Sequence, residues 1–434
     1  MMVTNWGHSH QAGFRDARLA NAATATNQSC SIAQASVPWA CAMWAAWTML
    51  VCIANSIGAP PALSPSALSK PNRSDTILVQ TQVNRQEKPL LSDQQFAAIE
   101  EAMDRGLRSL NRYRQENGRY STRYDVSQPG ITSLCVMAYL SRGHLPGSGP
   151  HGDHLNESID FVISCQHANG LLAETQFGAD VGPRSVEGNA APYNHSISGL
   201  LLAEIYGMTN LAKEKELAAA VRKAIDYTVQ CQYTEQDSPI HSGGWGYLPV
   251  LHGADIDDNM RITDLSVVSW QIMFLRAAKN AGFDVPAATI DRAMAYVERH
   301  FDEKSGVFYY RQSKPNMNQS MAGVGIVMLS LGGKQASPKV ISAGEWLLRN
   351  PWSWNDSESV DYSAYYCSQA ALQLGEPYWS RIYSPILDYS LRQQRPDGSW
   401  PASSVGESFG QEYTTALMIL SLGAPLQLLP IYQP

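Results

Sequence analysis

From residue 95 onward the chain alternates two kinds of helical run, and this alternation limits the fold more than any single motif. One kind carries charge on one face, as in Lys213-Glu214-Lys215-Glu216 followed by Arg222-Lys223. The other is apolar nearly all round, as in LSVVSWQIMFLRAAKNAG and TTALMILSLG. A helix with no polar face has to be buried on every side. The apolar runs begin near Ile131, His195, Asp264, Asn318, Asp361 and Glu412, and they close on Gly143, Gly207, Gly282, Gly332, Gly375 and Gly423. Glycine is the usual helix stop. Turns mark the same period at Gly118-Arg119-Tyr120, Gly170-Leu171-Leu172, Gly244-Trp245-Gly246-Tyr247, Gly306-Val307-Phe308 and Gly398-Ser399-Trp400, and Trp352-Ser353-Trp354 fills the place that lacks glycine. Strand patterns of period two are absent. The expectation is an all-α fold, an α/α toroid with six inner and six outer helices. An open solenoid is the alternative, but units of uneven length around a buried inner set favour closure.

Composition agrees with a shielded inner ring. Only 16% of residues are charged while 44% are hydrophobic, and the net charge of −7 leaves no basic footprint for nucleic acid. The first ninety residues lie outside the repeat. Val37–Ile57 runs 21 residues without a charge, long enough for a membrane anchor and acceptable as the apolar part of an export signal. Ala54-Asn55-Ser56 and Ile57-Gly58-Ala59 offer small residues for cleavage, although the basic flank is reduced to the distant Arg15 and Arg18. Residues 1–59 therefore read as a signal peptide or anchor, and 60–94, with Pro60, Pro61, Pro65, Pro71 and Pro89, as a linker. The toroid occupies 95–434. Export or membrane anchoring is the expected location, with membrane association through Val37–Ile57. Cys135, Cys165, Cys231 and Cys367 read as small buried hydrophobes, and no Cys-x-x-Cys pair offers a zinc site.

The turns also carry a resemblance. Gln394-Arg395-Pro396-Asp397-Gly398-Ser399-Trp400 matches the Q-x-x-x-G-x-W repeat of squalene cyclases, and Gln166-His167-Ala168-Asn169-Gly170-Leu171-Leu172 is a copy with Leu for Trp. Gly243-Gly244-Trp245-Gly246-Tyr247 through Asp264-Leu265-Ser266-Val267-Val268-Ser269-Trp270 is similar to another unit. The chain thus resembles the prenyltransferase and squalene-oxidase repeat family. That resemblance implies the α/α toroid of terpenoid cyclases and prenyltransferase β subunits, with Gln and Trp tying each turn to its neighbours.

Asp255-Ile256-Asp257-Asp258 resembles the D-x-D-D signature of class II terpene cyclases. Carried over, Asp257 would be the acid that protonates an alkene, Asp255 and Asp258 its supporting carboxylates and His252 a hydrogen-bond partner. Read without the resemblance, these residues form a solvated acidic loop. A calcium loop through Asp255, Asp257 and Asn259 lacks the glycine and the closing glutamate. Asp361-Tyr362-Ser363-Ala364 resembles the zinc segment of protein prenyltransferases, with Ala364 where a liganding His belongs, so no metal or other cofactor is expected.

At the starts of the inner helices the sequence places a polar ring of Tyr193-Asn194-His195, Asp264, Asn318-Gln319, Asp361 and Gln411-Glu412. Asp264 and Asp361 read equally as helix caps. His195, Asp257 and Asp361 are the catalytic candidates. Tyr193, Asp264, Trp270, Tyr365, Tyr366 and Glu412 are the ligand-binding candidates, suited to an apolar isoprenoid or a sugar. Three functions remain open: acid chemistry on an isoprenoid-like ligand, a non-catalytic toroid that binds a protein or glycan partner, and a polysaccharide lyase.

Overall fold

The structure, a computed structural model, describes residues 91–123, 128–174, 186–247, 262–312, 315–354 and 359–433. Its helices follow the polar–apolar alternation. Those with one charged face are α1 (Asp93–Asn111), α3 (Gly152–Ser164), α5 (Leu211–Cys231), α7 (Ala287–Arg299), α9 (Pro338–Arg349) and α11 (Ser384–Gln393). Those buried nearly throughout are α2 (Gly130–Ser141), α4 (Val186–Glu204), α6 (Leu265–Asn280), α8 (Gln319–Leu331), α10 (Val360–Leu374) and α13 (Gln411–Leu422). A short α12 (Ser404–Phe409) leads into α13. The buried helices touch in the order α2, α4, α6, α8, α10, α13 and back to α2. Each of the others packs outside that ring: α1 on α13, α3 on α2, α5 on α4, α7 on α6 and α8, α9 on α8, and α11 on α13. The protein is an α/α toroid.

Chemistry explains which helix goes where. Every residue of α2 is buried, including Thr132, Ser133 and Ser141, and small hydroxyls survive there by bonding backbone oxygens one turn back, as Ser133 does to Pro129 and Ser141 to Ala138. In α1 only a stripe is buried, through Ile99, Met103, Leu107 and Leu110, which is the spacing of one helical face. A two-stranded ribbon of β1 (Phe301–Asp302) and β2 (Val307–Phe308), unforeseen from the sequence, turns the chain after α7.

The outer ring is laced by glutamines. Gln394 donates from Nε2 to the Gly398 carbonyl (2.9 Å) and to the Ala102 carbonyl of α1 (2.8 Å). Gln166 does the same to Gly170 (3.3 Å) and to Ala220 of α5 (2.9 Å). Gln232 does so to Gly243 (3.1 Å) and to Thr289 of α7 (2.9 Å). Each clasp joins the end of one outer helix to the body of the next (its first turn in the case of Thr289 in α7), and the Gln394 clasp joins last to first. The turn glycine has to be glycine: Gly398 sits at φ +87°, and a Cβ there would lie 2.2 Å from the Arg105 carbonyl oxygen. Trp245 and Trp400 finish their turns by donating Nε1 to the carbonyls of Thr228 and Ser390, each at 2.8 Å.

The helix expected to begin near His195 begins at Val186 and runs through Pro192. Proline normally breaks a helix interior because it lacks an N–H and crowds the preceding turn. Here the surrounding ring holds the helix through it. The described cysteines are all free. No helix among the described residues is long and apolar enough to cross a membrane; Val37–Ile57 lies outside them.

Removing one clasp leaves a turn carbonyl and a carbonyl of the next outer helix without their side-chain donor. Gln394→Ala should lower unfolding free energy by about 1–3 kcal/mol, read from the midpoint of a urea transition, and Gly398→Ala should cost more. An unchanged midpoint for both would show that ring closure does not depend on this turn.

Candidate functional site

The inner helices run in one direction, so their starts meet at one end of the ring. Tyr193 Oη lies 2.7 Å from Ser266 Oγ at the start of α6. Asp361 at the start of α10 accepts from Thr414 at the start of α13 (2.8 Å). This upper end gathers most of the candidate site residues.

Asp264 is the N-cap of α6, its Oδ1 accepting from the Val267 N–H (2.9 Å) and the Ser266 hydroxyl (2.6 Å). The residue is 0% exposed, yet Oδ2 has no hydrogen-bond partner and faces the Arg311 guanidinium at 3.6 Å. Arg311 in turn donates to the hydroxyls of Tyr247 and Tyr310, both at 3.2 Å, and stacks its cation 4.6 Å from the Tyr310 ring centre. The Tyr247 and Tyr310 hydroxyls bond each other, and the Tyr193 ring lies 6.4 Å from that of Tyr247. Tyr193, Tyr247 and Tyr310 all keep some accessible surface, and burial raises the phenol pKa of each. They stay neutral and form a cup of aromatic faces with one ion pair in its wall.

Buried polar atoms without a partner gather at the same end: Asp264 Oδ2 on α6, Ser320 Oγ in the first turn of α8, Tyr362 Oη in the first turn of α10 and Glu412 Oε1 in the first turn of α13. Native interiors satisfy such atoms with protein or bound molecules. These four stand in the first turns, or at the cap, of four successive inner helices.

Asp361 is differently employed. Its carboxylate accepts from the Tyr362 N–H (2.9 Å), Ser403 Oγ (2.9 Å) and Thr414 Oγ1 (2.8 Å). Burial raises its pKa, and those bonds oppose the rise. It stitches α10 to the starts of α12 and α13, and Gly406 must be glycine because a Cβ there would lie 2.4 Å from Oδ2. Glu412 is buried, and desolvation pushes its carboxyl up to about 7. The groups that feel its charge are Cys135 of α2 and Tyr113 beyond α1, which places it in the wall between the rings.

His195 also lies in that wall. Because α4 begins at Val186, His195 lies in its third turn rather than its first. Its Nδ1 accepts from the Leu172 N–H (3.2 Å) and its Nε2 bonds Thr228 Oγ1 of α5 (2.8 Å), so the proton is on Nε2. Both nitrogens are spent on structure, and the adjoining void of about 10 Å³ holds no more than one water.

Below the cup the centre is filled. Trp270 stacks on Tyr365 with rings 5.7 Å apart and 6° from parallel. Tyr366 wedges against Tyr362 (4.8 Å) and Tyr365 (4.9 Å), and its hydroxyl meets Ser269 Oγ (2.9 Å). Trp270 and Tyr365 are 2% exposed and Tyr366 is 0%. The structure brings Tyr193 and Asp264 into the cup and makes Trp270, Tyr365 and Tyr366 its solid floor. Asp257 lies outside the described residues. Among the described residues no group of His, Cys, Asp or Glu is arranged to hold a metal ion. Arg311, Tyr247 and Tyr310 were missed from sequence; the one available signal was a tyrosine pair followed by arginine just before an inner helix.

Burial pulls the His195 imidazole down to about 3 from its ordinary 6.5. Between those values the folded protein binds fewer protons than the unfolded chain, so the stability held by neutral His195 is complete above pH 6.5 and falls as the pH drops toward 3. His195→Gln should flatten the dependence of unfolding free energy on pH between 6.5 and 4. A slope equal to that of the wild type would place the titrating group elsewhere.

No family model and no curated protein matches the chain. Solved structures do. A protein from Actinoplanes is 16% identical, with 76% of this chain and all of that one covered and a TM-score of 0.50. The apo form of a variant of the type II terpene cyclase MstE from Scytonema is 14% identical, with 78% of this chain and all of that one covered and a TM-score of 0.50. At such identities the likeness concerns architecture, and the chain has a terpenoid cyclase-like fold.

Proposed function

We propose that this chain is an exported toroid whose upper cup binds an isoprenoid-like apolar ligand and works on it by acid catalysis of the cyclase or transferase type. The observation that carries the reading is the cup itself: three tyrosine faces around one ion pair, in which the buried Asp264 Oδ2 has no hydrogen bond. Apolar ligands are held in such sites by aromatic walls and oriented by a few polar groups. In the proposed chemistry the Asp257 carboxyl gives its proton to an alkene carbon, leaving a carboxylate and a tertiary cation. Aromatic faces stabilise a cation through their quadrupoles, and loss of a proton from the cation ends the reaction. Asp264 and Arg311 position the ligand, and Asp361 holds three helices in register for it.

A second reading has its own support. The packed column of Trp270, Tyr365 and Tyr366 leaves a shallow site, which suits a non-catalytic toroid that binds a protein or glycan at its upper end.

Native mass spectrometry of the full chain with a lipid extract from the source cells distinguishes the two. The first reading expects a co-purifying isoprenoid, retained in Asp257→Asn while turnover is abolished, and bound at least about tenfold less by Tyr193→Ala. Asp264→Ala should mainly cost stability, about 1 kcal/mol for a lost cap. No bound isoprenoid across repeated preparations would overturn the first reading.

A further inference from the structure

The lower end of the ring is closed by the chain's own C-terminal segment. After α13 the chain makes a single turn at Ala424–Leu426 and another at Pro430–Tyr432. Between them Gln427 takes a left-handed conformation at φ +50°, and its carbonyl accepts from Gln433 Nε2 (3.0 Å), which folds the segment on itself. Tyr432 enters the ring from below. Its hydroxyl bonds that of Tyr365 and lies 4.0 Å from the Met273 sulfur. Beside it the Ile431 N–H donates to Glu204 Oε2 at 3.2 Å.

Glu204 is the last residue of α4 and is 3% exposed. Among the described residues no Lys, Arg or His forms an ion pair with it. The titratable groups that feel its charge are the phenols of Tyr365 on α10 and Tyr432 on the segment itself. On the far side of the segment, Ile431 and Tyr432 form one wall of a cleft of about 1010 Å³ bounded by α6, α7, α8 and α10. The charged groups of that cleft are Arg276, Lys279, Asp291, Glu298 and Lys334. A single layer of tail thus separates the aromatic column from a large open space.

We propose that residues 424–433 are a stopper released by ionisation of Glu204, whose departure joins the aromatic column to the lower cleft. The carboxyl is poorly placed to carry charge: one N–H is the only hydrogen bond the segment offers it, and a buried carboxylate needs more than that to offset lost hydration. Displacing the segment returns it to water. Burial pushes the carboxyl up to about 8, opposed only by the Ile431 N–H. The hold of the stopper is therefore complete below the ordinary value of 4.5 and is lost as the pH rises through about 8. Linkage between those two values makes the displaced population rise on the order of 100-fold from pH 6 to pH 9.

Amide hydrogen exchange on the full chain, corrected for the intrinsic pH dependence of exchange, reads this directly at Ile431 and Tyr432. The expected result is an opening constant about 100-fold larger at pH 9 than at pH 6, with the cores of α4 and α10 still protected. Glu204→Gln is neutral at both pH values and keeps the shape, so its opening should be flat. Tyr432→Phe keeps the ring but loses the hydroxyl bond, so opening should increase equally at every pH. A flat wild-type profile, a rise that persists in Glu204→Gln, or simultaneous loss of protection throughout the ring would each overturn the proposal.

Discussion

One hydrogen-bonded turn makes the molecule a ring. Gln394 reaches from the end of α11 to the Ala102 carbonyl in α1, and between those residues lies almost the whole folded chain. A clasp between neighbours in sequence costs little loop entropy, but this one joins first to last and forms only when the rest is in place. Gln166 and Gln232 repeat the same geometry between successive outer helices. The closed outer ring is what allows the inner helices to be apolar on every face. An open end would expose one of them.

Burial on that scale also decides which polar groups are structural. Asp361 has three donors and His195 two partners, all from the protein itself. Asp264 spends one carboxylate oxygen on the α6 cap and leaves the other toward Arg311. Such division of labour within a single side chain is how a buried site keeps a polar group available without losing the helix it caps.

The legible part of the fold is the part written at short range. Gln394, Gly398 and Trp400 lie within seven residues, and the all-round apolar runs announce buried helices without reference to anything distant. Gln232 does the same work as Gln394, but its glycine comes eleven residues later rather than four; the glycine–tryptophan turn of that unit is legible in the sequence, and the insertion hides only its glutamine. The sequence expectation starts α4 near His195, whereas the helix begins at Val186 and continues through Pro192. The site was less legible for a related reason. The partners of His195 come from Leu172 and Thr228, those of Asp264 from Arg311, and that of Glu204 from Ile431 near the end of the chain. Residue type and spacing say nothing about meetings over such separations.

The common direction of the inner helices has an electrostatic result. Each peptide dipole adds along its helix to roughly half a positive charge at the start and half a negative charge at the end. In the ring formed by the described residues these ends are not interleaved, so the upper end is a positive pole and the lower end a negative one. The acidic residues Asp264, Asp361 and Glu412 all stand at the positive pole, where the field offsets part of what burial costs them. Glu204 stands at the negative pole, where the field adds to burial and favours the neutral acid. The two ends of the toroid therefore set the same functional group, a carboxyl, in opposite fields.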